Sequence, residues 1–294
     1  MSKGVWYGIA AHVAWGLSPI YWKQLDQVPA PVLIAHRVLW ALLTLGVLLL
    51  FRRRYRFDLR QLTRRVAGIY VLASVLICTN WLIYVWAVTT GFIVEASLGY
   101  FITPLVSVGL GVLILRERLR PGQWAAVGLA SIGLLYLTAA LGSLPWIALV
   151  LPATFGLYGL VKKAAPLGAA QGLTAETGLL FLPAAAFLIW GPDSTPPGAI
   201  DGGSGLLLVA GSGVVTVVPL VLFAASVRRI PLSHLGIIQY LAPTLQFLLG
   251  VLVYGEPFSS RQLVGYGLVW GAMALFGAEG LHAQRRGSRT IARP

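Results

Sequence analysis

Long apolar runs without a charged side chain recur along the whole chain, and clusters of charge separate them. The 294 residues are 57% hydrophobic and only 11% charged, whereas soluble domains carry about 25% charged residues. Disorder is excluded because it requires low hydrophobicity and high charge density. A disulfide scaffold is excluded because Cys78 is the only cysteine. The composition therefore predicts an all-α polytopic membrane protein.

The apolar runs can be counted as membrane spans, because a helix of about 20 apolar residues crosses a bilayer core of about 30 Å. A turn at Gly142-Ser143-Leu144-Pro145 divides the long uncharged stretch between residues 121 and 161 into two spans. The ten predicted transmembrane helices are 5–22, 31–51, 66–89, 92–115, 123–140, 145–161, 169–190, 205–227, 233–254 and 262–280.

The basic residues predict the orientation of these spans. With the N-terminus in the cytoplasm, nineteen of the 22 lysines and arginines lie on the cytoplasmic side and two lie outside, while Arg37 lies within the second span. Because positive residues collect in cytoplasmic loops, we expect both termini to be cytoplasmic. The same argument explains the net charge of +13, so nucleic acid is not predicted as a partner.

The two halves of the chain resemble each other at an offset of 139–140 residues. Pro104 and Glu117, for example, align with Pro243 and Glu256, and the placement of the two glutamates suggests that they anchor helix ends. Five spans is an odd number, so the second copy must be inverted, as in transporters whose inverted repeats meet near the membrane midplane. The predicted domains are a first five-helix repeat at 1–140, a second, inverted repeat at 141–284 and a basic cytoplasmic tail at 285–294.

Ionisable side chains within the predicted spans are candidates for function, because a charge at the membrane centre costs about 2.5–3.5 kcal/mol. We expect an ion pair between Arg37 and Glu95 near the outer side, and an acid and a base, Glu176 and His234, toward the cytoplasmic side. These groups either gate and bind, with Glu95 or Glu176 coupled to the proton gradient, or tie helices together as structural pairs. The candidates for gating or ion pairing are His36, Arg37, Glu95, Glu176 and His234.

A second group of candidates combines aromatic and amide side chains with prolines near the middle of the membrane. A proline frees a backbone carbonyl, and a free carbonyl at this depth is tolerated only beside protein or a water-filled cavity. Such groups suit a small amphipathic molecule, although each aromatic could equally be ordinary core and each proline a packing kink. The candidates for substrate binding or translocation are Asn80, Trp81, Tyr84, Tyr100, Phe101, Gln239, Tyr240, Trp15 and Tyr158, and the candidate helix breaks are Pro104, Pro219 and Pro243.

Catalysis finds no support in the sequence. There is no H-E-x-x-H, no P-loop and no G-x-S-x-G motif, so we predict neither an enzyme nor a cofactor or metal. The spacings Gly4-x-x-x-Gly8 and Gly267-x-x-x-Gly271 favour close helix packing and leave a homodimer open.

Several of these residues carry a resemblance to a known family. The sequence resembles the RarD-type permeases of the EamA branch of the drug/metabolite transporter superfamily, from bacterial inner membranes. The resemblance runs from the first span to the tenth and implies two inverted repeats around a central cavity, with transport, often efflux, of small metabolites or drugs. The run Ile77-Cys78-Thr79 departs from the glycines expected there, which implies a locally narrower cavity. The matching segments are His36-Arg37, Asn80-Trp81, 95–104, 142–145 and 235–244.

The sequence therefore predicts a secondary transporter that moves a small organic metabolite or drug across the bacterial inner membrane by alternating access. Its expected partners are this small-molecule substrate and the lipid bilayer. The alternative is a passive channel or a lipid-handling membrane protein without ion coupling.

Overall fold

Helices make up nearly all of the part of the chain that the structure, a computed structural model, describes. This part comprises residues 2–51, 63–89, 92–141, 146–191, 203–255 and 260–291. A short 3-10 helix at Lys23–Leu25 follows the first α-helix. The α-helices are α1 Lys3–Trp22, α2 Ala30–Phe51, α3 Arg64–Thr89, α4 Ile93–Leu113, α5 Pro121–Leu141, α6 Ile147–Ala164, α7 Ala169–Trp190, α8 Gly203–Val227, α9 Leu232–Gln239, α10 Leu241–Leu252 and α11 Ser260–Ile291.

The length and hydropathy of these helices identify a multi-pass membrane protein. Within the described residues, eight segments are long and apolar enough to cross a membrane, and Leu98–Leu113 is a shorter apolar helix. Large apolar side chains face outward, where lipid would surround them, and Leu113 and Trp190 are each 80% exposed. The eight segments are Ala30–Leu50, Arg64–Ala87, Pro121–Ala139, Ile147–Ala164, Ala169–Trp190, Gly203–Val227, Leu232–Leu252 and Leu263–Gly280.

Every apolar run predicted from the sequence contains a helix, but α1 is not among the eight segments and α4 contributes only the shorter Leu98–Leu113. The ninth run is divided into α9 and α10 at Tyr240, and α11 continues past the expected end at Gly280 to Ile291. Residues 281–291 lack proline, and three of these eleven residues are arginine, which favours continued helix. The predicted turn at 142–145 and the position of Glu256 lie outside the described residues.

The helices of the two halves pack on each other in a reciprocal pattern. Helix α1 packs on α8, and the helices at the equivalent places, α6 and α3, also pack on each other. In the same way α2 packs on α8, and their equivalents α7 and α3 pack on each other. Helix α4 packs on α6, while α9 and α10 pack on α1. The pairs α2–α7, α4–α9 and α5–α11 each join helices at equivalent places in the two halves. The extensive helix interfaces among the described residues therefore lie between the halves rather than within them.

Two buried clusters occupy these interfaces. The larger one is centred on Tyr158 and Phe223, which stack at 6.1 Å between ring centroids, and it also takes side chains from α1, α2, α3, α7 and α9. The second contains Phe101 and Tyr240 and joins α4 and α9 to α5 and α11. Among the described residues, each of these two clusters thus draws on both halves rather than on one.

Helices α2 and α8 approach so closely that one position on α8 requires glycine. A Cβ atom at Gly213 would overlap the backbone carbonyl of Trp40 and would lie 2.8 Å from Thr44 Oγ1. Small residues at helix interfaces allow such close approach in membranes, where packing drives association.

We expect Gly213→Ala to destabilise the protein by about 1–3 kcal/mol, because the added methyl group forces α2 and α8 apart. Thermal unfolding of the purified protein in detergent would show this as a lower Tm. Gly128→Ala on α5 is the matched control, since nothing lies within 4 Å of a Cβ there. Equal Tm values for the two variants would contradict the close packing of α2 on α8.

Candidate functional site

Arg37 lies at a point where helices from both halves meet. Its guanidinium lies over the ring of Trp22, at 4.6 Å, and over the ring of Trp81, at 4.8 Å. Its Nε donates a hydrogen bond of 3.1 Å to Thr216 Oγ1 on α8. The two aromatic faces and the hydroxyl partly compensate the cation for lost hydration.

The two tyrosines predicted for this region lie beside the Arg37 group. The rings of Tyr84 on α3 and Tyr100 on α4 meet edge to face at 5.4 Å, and both interact electrostatically with Arg37. The structure thus brings together four of the predicted residues, Arg37, Trp81, Tyr84 and Tyr100. The side chain of Glu95 lies outside the described residues, so its expected pairing with Arg37 stays a prediction. His36 is half-buried on α2.

Asn80 ties α3 to α6. Its side chain is buried, and Nδ2 donates hydrogen bonds to the Leu151 carbonyl at 2.9 Å and to Thr154 Oγ1 at 3.0 Å. Because α3 belongs to the first half and α6 to the second, this amide links the two halves.

Gln239 and Tyr240 lie where the ninth apolar run is interrupted. Gln239 Oε1 accepts a hydrogen bond of 2.9 Å from Ser107 Oγ on α4. The Tyr240 side chain is fully buried, and its hydroxyl has no hydrogen-bond partner among the described residues. Pro243 follows in the first turn of α10.

The other two predicted helix breaks fall inside continuous helices. Pro104 lies within α4 and Pro219 within α8, so the prediction of a break at these two positions is corrected. A proline removes a single backbone hydrogen bond, and packing on both sides holds these helices together. A Cβ atom at Gly236 of α9 would lie 2.7 Å from the Pro104 carbonyl oxygen, which shows how closely α4 and α9 approach.

The remaining aromatic candidates are parts of buried clusters. Trp15 packs at 5.8 Å from Phe155 and 5.7 Å from Phe223. Phe101 lies edge to face with Tyr266 at 4.8 Å. Both side chains therefore serve helix packing in this conformation.

A buried ion pair, which sequence reasoning missed, lies between α6 and α7. Lys162 Nζ lies 2.5 Å from Glu176 Oε1, and the exposures of the two side chains are 3% and 1%. The second carboxylate oxygen accepts a hydrogen bond of 2.9 Å from the Tyr158 hydroxyl. Lys162 is one of the nineteen lysines and arginines predicted to lie on the cytoplasmic side. The one sequence signal for the pair is that Lys162 precedes Glu176 by 14 residues, on the neighbouring helix.

Glu176 and His234, predicted as an acid and a base toward the cytoplasmic side, have different partners. Lys162, a stronger base on the adjacent helix, occupies the place beside Glu176. His234 Nε2 instead lies 3.3 Å from Gln123 Nε2, and its Nδ1 is buried without a partner among the described residues.

Glu117 anchors the N-terminal end of α9. Its alignment with Glu256 in the sequence suggests such a role at a helix end. Its carboxylate accepts hydrogen bonds from the Leu232 N–H at 2.7 Å and from the N–H and hydroxyl of Ser233 at 2.8 and 2.7 Å. Lys163 Nζ lies 3.8 Å away. Burial would raise the pKa of Glu117, but the Ser233 and Leu232 hydrogen bonds and the Lys163 charge together lower it below its ordinary value of 4.5.

The chemistry of these groups is that of polar recognition. In the described part of the chain, no cluster of three or more His, Cys, Asp or Glu side chains could hold a metal ion. The side chains present can bind a solute through a cation, aromatic faces, amides and hydroxyls.

Removal of one partner of the Lys162–Glu176 pair should destabilise the protein by about 3–5 kcal/mol, because an uncompensated charge stays buried. We expect Lys162→Met and Glu176→Gln each to lower the Tm strongly and the double variant to recover most of the loss. A double-mutant cycle by thermal unfolding measures this coupling. Additive losses would show that the two side chains do not interact.

Comparison with known proteins identifies relatives over almost the whole chain. The EamA-like transporter family matches residues 2–139 and 144–278. The uncharacterized transporter YojE of Bacillus subtilis is 44% identical over 93% of this chain and 93% of its own length. The protein RarD of Streptomyces exfoliatus is 44% identical over 96% of this chain and 90% of its own length.

A solved crystal structure has the same fold. It is 20% identical in sequence and covers 94% of this chain and 97% of its own, with a TM-score of 0.71. The relatives are named as transporters or RarD proteins, and the described helices are those of a polytopic membrane protein. The chain therefore belongs to the EamA-like transporter family and is a permease of the RarD type.

Proposed function

We propose that this protein is a secondary transporter that moves a small organic metabolite or drug across the bacterial inner membrane by alternating access. In this proposal the chain crosses the membrane ten times, as two inverted five-helix repeats. Both termini lie in the cytoplasm.

The observation that carries this proposal is that polar side chains join the two halves at several places. Arg37 binds Thr216, Asn80 binds Thr154, and Ser107 binds Gln239, each across the boundary between the halves. In a transporter of this type, one half rocks against the other around a central site. Hydrogen bonds across the boundary can be exchanged for bonds to a solute when the halves move.

Two further observations support the inverted repeat. The family matches the chain as two separate segments of similar length, and the helices of the two segments pack on each other reciprocally. A pseudo-twofold axis between the segments would produce this packing.

Glu117 and its partners form a contact that would close one side of the boundary. The loop between α4 and α5 carries Glu117, and this loop is bound to the N-terminus of α9 and lies close to Lys163 of α6. In the proposed orientation this is the cytoplasmic side. Opening toward the cytoplasm would require these bonds to break.

The proton gradient is the proposed energy source. Glu176 is a buried carboxylate whose two oxygens are held by Lys162 and Tyr158, and Glu95 lies on α4 in the first half. Protonation of a buried carboxylate removes the charge that holds its partner. Proton binding can therefore be coupled to a change in helix packing.

A homodimer remains part of the proposal only through the exposed face of Gly267 and Gly271, because Gly4 and Gly8 are buried against residues of α8, α9 and the turn between them.

Counterflow in liposomes tests the proposal. Proteoliposomes would be loaded with unlabelled bacterial extract and placed in isotopically labelled extract, and the labelled solutes taken up would be identified by mass spectrometry. A transporter is expected to show saturable uptake that internal solute accelerates. A passive channel or a lipid-handling protein, the alternative, would show no acceleration by internal solute.

Side chains that join the halves should govern the exchange rate. We expect Gln239→Leu and Asn80→Leu to lower counterflow by about tenfold, because each variant loses a buried hydrogen bond between the halves. Ser107→Ala should have a smaller effect of the same sign. Ser131→Ala is the matched control, since among the described residues the Ser131 hydroxyl binds the Val127 carbonyl of its own helix. If variants of Asn80, Tyr100, Gln239 and Tyr240 all exchange solute at the normal rate, the assigned pathway is wrong.

The Glu117 contact predicts a pH dependence of stability. Because the pKa of Glu117 is lowered in the folded protein, its contribution is fully present above the ordinary pKa and is lost as pH falls through the lowered value. We expect Glu117→Gln to lower the Tm at neutral pH and to match the unsubstituted protein in acid, well below pH 4.5. A constant Tm difference across this range would contradict the role of the charge.

A further inference from the structure

Lys162 and Arg37 are both cationic side chains among membrane-spanning helices, but their surroundings differ. Lys162 is neutralised by Glu176 at 2.5 Å. Among the described side chains, Arg37 has no carboxylate within 4.0 Å, and two indole rings and one hydroxyl surround it instead. The fold can therefore neutralise a buried cation with its own carboxylate, and it does so at Lys162.

Among the described side chains, the guanidinium of Arg37 has one hydrogen-bond partner, the Thr216 hydroxyl, which binds Nε rather than a terminal nitrogen. A guanidinium carries five N–H donors in a planar fork, and Nε uses its own for Thr216. The indole rings of Trp22 and Trp81 lie against the guanidinium and do not accept the in-plane hydrogen bonds of its terminal nitrogens. Those nitrogens match the two oxygens of a carboxylate in bidentate geometry.

The repeat does not account for Arg37. At the offset of 140 residues the equivalent position in the second half is Thr177, whose hydroxyl binds the Leu173 carbonyl of its own helix at 2.9 Å. The five-helix unit thus folds without a cation at this place. A residue that only one half carries, at a point where both halves meet, is a candidate for recognition rather than for helix packing.

The surroundings of Arg37 suit a molecule that is partly apolar. The paired rings of Tyr84 and Tyr100 lie near it, and the helices that contribute to the group are α1, α2, α3, α4 and α8. A cation beside several aromatic faces favours a planar organic anion, whose carboxylate binds the cation while its flat part packs on the rings.

We propose that Arg37 binds the carboxylate of the transported solute, and that the substrates of this protein are small amphipathic carboxylates with a planar apolar part. This inference rests on the proposed function, because it names the substrate class for the same pathway.

Binding of phenylacetate to the purified protein in detergent tests the inference. Equilibrium dialysis with radiolabelled phenylacetate, and competition by benzoate, phenylacetamide and benzamide, would compare carboxylates with uncharged amides of nearly the same shape. We expect saturable binding that benzoate competes for and the amides do not. Equal competition by amides, or no saturable binding of phenylacetate, would overturn the proposal.

Variants locate the binding at Arg37. Arg37→Gln should weaken phenylacetate binding at least about tenfold, and Arg37→Lys should weaken it less, since a point charge replaces a bidentate fork. Arg229→Gln is the matched control, because Arg229 also lies over an aromatic ring, that of Tyr7, but is exposed at the end of α8. If the Arg37 variants do not fold, Thr216→Val tests the same site, because it removes the hydroxyl that binds Arg37 Nε. We then expect weaker binding of phenylacetate.

Phenylacetate binding by Glu95→Gln and the charge of the solutes found by counterflow separate the failure of this inference from the failure of the proposed function. If Glu95→Gln binds phenylacetate and the unsubstituted protein does not, Glu95 already neutralises Arg37 and the proposal is overturned. If counterflow identifies only uncharged or cationic solutes, the transporter function stands and the carboxylate site does not. Carboxylate binding that depends on Arg37, without any counterflow, would overturn the transporter function and leave the site.

Discussion

The whole structure depends on packing between two halves that share two buried clusters. A membrane helix satisfies its backbone hydrogen bonds internally, and lipid provides no hydrophobic drive for one helix to join another. Association must come from close contact and from a small number of polar bonds. In this protein both are concentrated where the halves meet, at the α2–α8 contact beside Gly213 and at the hydrogen bonds of Arg37, Asn80 and Ser107.

This arrangement connects stability with function. A boundary that carries most of the packing and most of the long-range hydrogen bonds is also the one that must change if the halves move. The bonds of Arg37, Asn80 and Ser107 across this boundary are made by a guanidinium, an amide and a hydroxyl, and each of these groups can bind a new partner. Two cations among the membrane-spanning helices have different surroundings. Lys162 is buried and paired with Glu176 within the second half, whereas Arg37 lies between aromatic rings at the boundary.

Sequence reasoning predicted the helices well and their partners poorly. The apolar runs and the interruption near Pro243 were visible in the sequence, because each is a local signal. Asn80, Gln239 and Arg37 were recognisable as candidates because each is a polar residue in an apolar stretch. The pairing of Lys162 with Glu176 was not visible, since a lysine near a helix end has the same appearance whether it faces water or a carboxylate. Continuous helix at Pro104 and Pro219 depends on neighbouring helices that no local pattern records.

The sequence by itself determined a polytopic helical membrane protein and identified a set of unusual polar residues within its apolar runs. These features follow from composition, hydropathy and spacing, which the bilayer constrains directly. Only the tertiary structure decided which of those residues meet. Arg37 and Thr216 are 179 residues apart in sequence, and their contact exists because α2 and α8 pack closely enough for one hydrogen bond to join the two halves.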